Sequence, residues 1–113
     1  MNIFPRKPKS IPGSYYFGEF NDESLSPFSI STASFDENYQ REMPHYHTTN
    51  QKAYVVLKGE GVLNVSGKGI KMSPEEMIHV EPNEVHYIES VNIAPLEFVV
   101  ILSSKIDDKV VAK

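Results

Sequence analysis

A chain of 113 residues with 40% hydrophobic and 23% charged side chains has room for one domain and one real core. Its 11 basic against 15 acidic side chains, a net charge of −4, exclude a phosphate-backbone binder, and no basic stripe offsets that balance. The absence of cysteine excludes disulfides and thiolate metal sites, so any metal would need histidine, carboxylate or amide oxygen. No apolar run approaches the roughly 20 residues of a membrane span. The start, MNIFPRKPKS, lacks a signal-peptide core, so neither a membrane nor a nucleic-acid partner is expected, and the expected location is cytoplasmic.

In chain order, residues 1–13 are rich in proline and basic side chains and read as an extended arm, free to pack on a neighbour. The single domain is expected over 14–113. SYYFGEF (14–20) is aromatic and strand-like, and NDESLSP (21–27) is a loop. FSISTASF (28–35) sets Phe28, Ile30, Thr32 and Ser34 against Ser29, Ser31, Ala33 and Phe35. AYVVLKGEGVLNVSGKGIKM (53–72) reads as two or three short strands with turns at 58–61 and 66–69. The segment at 73–76, SPEE, has a helix-start pattern, but Pro82 follows too soon, and a turn into the strand EMIHV is expected. VHYIES and LEFVVILSS complete about eight strands at even spacing, the signature of a sandwich or small barrel.

Residues two apart on a strand point the same way, so His45 and His47 share a face and Tyr46 opposes them. Two neutral imidazoles so placed can bite one ion. Alone, His-x-His is a weak signal; the downstream sequence strengthens it.

HYHTTNQKAYVVLKGEG and MSPEEMIHVEPNEVHYIES resemble the two motifs of the cupin superfamily, over residues 42–90. His45 and His47 match the first histidine pair, Gly59 the closing glycine and His86 the second-motif histidine. Glu81 takes the proline position of the second motif and Asn83 its glycine; asparagine tolerates positive φ better than most residues. The resemblance implies an all-β fold, a double-stranded β-helix or jelly-roll barrel, in which His86 returns to meet His45 and His47. It also implies a divalent metal ion (zinc, nickel, iron or manganese) held by those histidines.

The departure is the fourth ligand. The family glutamate falls on Lys52. At about 5 Å and an effective dielectric near 20, an ammonium would repel a dication by several kcal/mol. Three readings are open. Lys52 points outward and Gln51 supplies the fourth ligand through its amide oxygen. Three histidines and water form the site. Or metal binding is lost and a polar pocket remains.

His79, Tyr54 and Glu89 are candidates for moving protons, against the plainer roles of strand histidine, core tyrosine and solvated acid. AYVVL and FVVIL are apolar on both faces, which calls for a cover on the outer side and, with no helix at hand, for a homodimer. Two functions fit these residues. One is a metal-dependent enzyme acting on a small organic substrate, sugar-related compounds among the candidates. The other is a metal-free barrel that holds a sugar or other small ligand without turning it over, with Lys52 taking an anionic group of the ligand. Fold alone does not separate them.

Overall fold

The computed structural model describes residues 3–10, 12–17 and 28–112. The loop expected at 21–27 lies outside them. Nine strands are present among the described residues: β1 (Arg6–Pro8), β2 (Ser14–Phe17), β3 (Ser29–Phe35), β4 (His45–His47), β5 (Lys52–Val65), β6 (Lys68–Met72), β7 (Met77–Val80), β8 (His86–Leu102) and β9 (Lys109–Val111). All pair antiparallel in one curled sheet, and the described residues contain no helix. The segment at 73–76 is a turn, as expected.

The spine is the pair β5–β8, two long strands that face each other from Lys52↔Leu102 to Val65↔His86. β8 adds β3 along its second half and meets β4 at His45↔His86. β5 adds β7 along its first half and β6 along its second. β9 closes on β4. Alternation then decides what faces inward. Ser29, Ser31 and Ala33 of β3, Lys52, Tyr54 and Val56 of β5, and His86 and Ile88 of β8 are buried, while their neighbours in sequence are less so. Leu63, Met72 and Leu96 are fully buried and join Val56, Ile88 and Phe98 in one core. Each such side chain contributes roughly 1.5–3 kcal/mol by leaving water.

Two expectations need correction. The turn expected at 58–61 is a set of bulges inside β5, with register shifts between Val56 and Lys58, Lys58 and Glu60, and Glu60 and Gly61. Bulges bend a strand without ending it. The two strands expected at 85–90 and 96–104 are one, β8. The described part of the N-terminal arm lies on its own barrel: β1 pairs with β2 in the same chain.

Gly59 explains the bend. Its φ is +78°, and a Cβ there would collide with the carbonyl oxygen of Pro95 on β8. Gly67, in the β5–β6 turn, has φ +85° but nothing within 4 Å of its would-be Cβ. Gly67→Ala therefore meets only left-handed strain, about 1–2 kcal/mol. Gly59→Ala meets that strain and a backbone collision, and should cost about 2 kcal/mol more. Urea unfolding of both variants checks this; equal losses would show that the contact with Pro95 does not matter.

Candidate functional site

Three histidines meet at one end of the barrel. His45 and His47 come from the inner face of β4, and His86 opens β8 directly across the ladder from His45. All three are buried. Each ring is fixed from behind. The Nδ1–H of His45 donates to the carbonyl of Met43 (3.1 Å), and that of His86 to the carbonyl of Glu84 (2.9 Å). His47 Nδ1 donates to Asp108 Oδ1 (3.0 Å). A carbonyl can only accept, so the proton sits on Nδ1 and the Nε2 lone pair faces inward. One ligand nitrogen from each ring lies within 4.8 Å of the others, close enough for one ion to reach all three.

The turn before β8 helps to place this cluster. Asn83 has φ +68°, the conformation expected of a residue in the glycine position of the second motif. Its amide donates to the carbonyl of His47 (2.7 Å), tying the approach to His86 to the end of β4.

Lys52 is the fourth member. It points inward, in phase with Tyr54, and is buried. Its Nζ stands 3.0 Å from His86 Nε2 and 3.3 Å from His45 Nε2, so the amine donates to both rings. It also lies 4.9 Å from the centre of the Tyr54 ring. Burial pushes Lys52 down from 10.5 to about 7. Burial, then the Lys52 charge, pushes His45 down to about 2 and His86 to about 3, and lowers His47. The imidazoles are thus neutral acceptors at ordinary pH, around one lysine that can hold or release a proton. His47 Nε2 is a buried side-chain nitrogen without a partner among the described residues.

Behind His47 stands a residue that sequence reasoning missed. Asp108 accepts from Thr49 N and Oγ1, from Asn50 N and Nδ2, and from His47 Nδ1. Burial alone would raise its carboxyl; the hydrogen bonds from Asn50, Thr49 and His47 outweigh that and hold it well below the carboxylate range. Asn50 is itself buried and accepts from Ser104 N (2.7 Å). No local signal links positions so far apart in the chain. Glu42 was also missed; its Oε1 accepts from Ile88 N (3.1 Å), and it lines the cavity.

The other candidates separate. Tyr54 lines the cavity, with burial raising its hydroxyl well above the usual range. Gln51 is exposed, and its Oε1 pairs with Nε2 of the exposed His79 (2.6 Å) on the outside of the barrel. The expectation that Gln51 faces the histidines while Lys52 turns away is reversed, and His79 does not reach the cluster. Glu89 lies on the outer phase of β8, where it accepts from Asn64 Nδ2 (3.2 Å).

A cavity of about 500 Å³ opens above the cluster. Ser31, Tyr16 and Phe98 line its walls, His47, Lys52 and Tyr54 its floor, and the exposed Lys9 and Lys109 its rim.

A barrel of this topology with His-x-His on one strand and a third histidine returning beside it defines a class, and the sequence comparison agrees. A cupin-domain family model matches residues 34–102, and the chain belongs to the cupin family. It is 26% identical over 92 residues to acireductone dioxygenase of Bacillus pumilus, covering 77% of this chain and about half (51%) of the length of that relative. A Klebsiella pneumoniae protein with a double-stranded β-helix domain superposes with a TM-score of 0.73 at 17% identity, over 97% of this chain and 91% of that one. Streptomyces PAC13, a nucleoside dehydratase solved with uridine, superposes with a TM-score of 0.67 at 15% identity, over 97% of this chain and 84% of that one. These last two likenesses concern the fold.

The three-histidine group and the kinship with a dioxygenase suggest a metal ion, and the imidazoles suit one: their Nδ1 atoms are anchored and their Nε2 atoms converge. Lys52 does not suit one. An ion about 2.0–2.1 Å from each Nε2 would compete for the space and the lone pairs that the Lys52 amine uses. A protonated amine has no lone pair to offer and repels the dication. As they stand, the four side chains do not fit a resident metal.

Lys52 also predicts a pH effect. Its value is lowered on folding, so between about pH 7 and 10.5 the unfolded chain binds more protons there than the folded one, and stability rises with pH across that window. Lys52→Met removes the group. Urea unfolding at pH 7 and pH 10 should show the wild type gaining on the variant at the higher pH; a constant gap would mean that Lys52 is not buried.

Proposed function

We propose that this cupin binds a small organic molecule in its barrel without a resident metal, Lys52 using the lone pairs that an ion among the histidines would need. The observation that carries the reading is the contact of Lys52 Nζ with both His86 Nε2 and His45 Nε2. An ammonium brings three donors to a cluster of three acceptors and leaves a single positive charge at the cavity floor. The neutral His47, with a carboxylate behind it, and Lys52, poised near neutrality, give the site groups able to move a proton on a bound molecule. The mixed lining of Tyr16, Ser31 and Phe98 suits a ligand with both polar and apolar surface.

Elemental analysis of untagged protein tests this. The wild type should hold well under one equivalent of any transition metal, and chelator should leave its melting temperature unchanged. Lys52→Glu supplies a carboxylate in place of the ammonium and should take up one equivalent of zinc or manganese. Stoichiometric metal in the wild type would sink the proposal.

We further propose a homodimer. Leu57 and Met77 are 59% and 64% exposed, and the half-buried Val55, in phase with Leu57 on β5, pairs directly with Met77 on β7. Light scattering should give twice the chain mass, and Leu57→Lys should halve it; a wild type that runs as a monomer at tens of micromolar rules the dimer out.

A further inference from the structure

The cavity carries its charge unevenly, and that unevenness bears on what it holds. Three lysines face it: Lys52 at the floor, Lys9 and Lys109 at the rim. Burial lowers Lys52 and Lys9 first; Glu42 then raises Lys52 while Lys109 and Lys9 lower it, and Lys109 lowers Lys9 while Glu42 and Asp107 raise it. Two acids also line the cavity, Glu42 and Asp107. Glu42 already accepts a backbone N–H with one carboxylate oxygen, and Asp107 is exposed at the rim. The three imidazoles add no charge. At the floor the sole cation, Lys52, is buried, with two neutral acceptors and no carboxylate within hydrogen-bond reach among the described residues. Glu42 favours the charged amine from a distance, but no carboxylate touches it, and an anion brought into contact recovers part of the cost of burying the cation.

Two further features bear on the body of such an anion. Ser29, Ser31 and Tyr16 bring hydroxyl-bearing side chains to the wall. His47, buried and lining the cavity, has an Nε2 that no donor among the described residues satisfies. A hydroxyl on the ligand could donate to it. Among the described residues no arginine lines the cavity.

Resting on the metal-free reading above, we infer that the ligand is a small hydroxylated carboxylic acid. Its carboxylate is drawn to Lys52, and its hydroxyls meet His47 and the serine wall.

Gluconate, glucitol and hexanoate separate the parts of this inference. Glucitol has the same carbon chain as gluconate without the carboxylate; hexanoate has the carboxylate without the hydroxyls. Calorimetric titration at pH 6.5 of protein shown to be metal-free should give gluconate at least about tenfold tighter than either. Lys52→Met should bring gluconate down to the level of glucitol. Should that variant fail to fold, Lys9→Met and Lys109→Met, altered only at the exposed rim, should each weaken gluconate and leave glucitol unchanged. Gluconate no tighter than glucitol, no tighter than hexanoate, or not bound at all overturns the inference. Gluconate binding that survives the loss of the lysines does the same. A wild type that carries stoichiometric metal instead removes the reading beneath it, so the two failures are told apart before any ligand is added.

Discussion

A lysine amine buried against two imidazoles governs what this barrel can be. Taking a cation out of water is expensive, and the chain offsets that cost by direct contact with aligned acceptors, a carboxylate acting only at a distance. Those acceptors exist because every ring in the cluster is held at its far nitrogen. Met43 and Glu84 do this through backbone carbonyls, Asp108 through a carboxylate fixed by Thr49 and Asn50. Were the rings free to flip, Lys52 would meet N–H groups instead of lone pairs. Anchors and lysine thus depend on each other, and the cavity takes its electrostatic character from that arrangement.

Much of the architecture could be read from residue order alone. Short apolar runs cut by Gly, Pro and Asn pointed to the all-β barrel, and the spacing of His45, His47, Gly59 and His86 pointed to the cupin fold and to a converging trio. Asn83 was legible for a physical reason: a position demanding positive φ narrows the choice to glycine and a few others. The phase of β5 was not. Ala53 and Val55 are as apolar as Tyr54 and Val56, so alternation there could not say whether Lys52 or Gln51 faces inward. The bend at Gly59 reads as a turn in sequence because the same residue serves both; only the ladder to β8 distinguishes them. Asp108 lay in a polar tail with no pattern, and its role comes from a tertiary contact 61 residues away from His47.

Kinship and chemistry pull in different directions at this site. The chain belongs to the cupin family and is related to a dioxygenase, and its three histidines could reach one ion, yet the side chain seated among them is a lysine. Lys52 donates to two of the imidazoles that an ion would need as ligands.

The wall that carries Lys9 is built differently from the rest. β5 is paired along both edges, whereas β1 is a three-residue ladder on β2, helped by one hydrogen bond from Lys9 N to Ser14 O. Such an edge frays at little cost while the barrel behind it stays folded. Lys9, which follows β1 directly, therefore sits on the part of the cavity lining that local opening reaches at least cost.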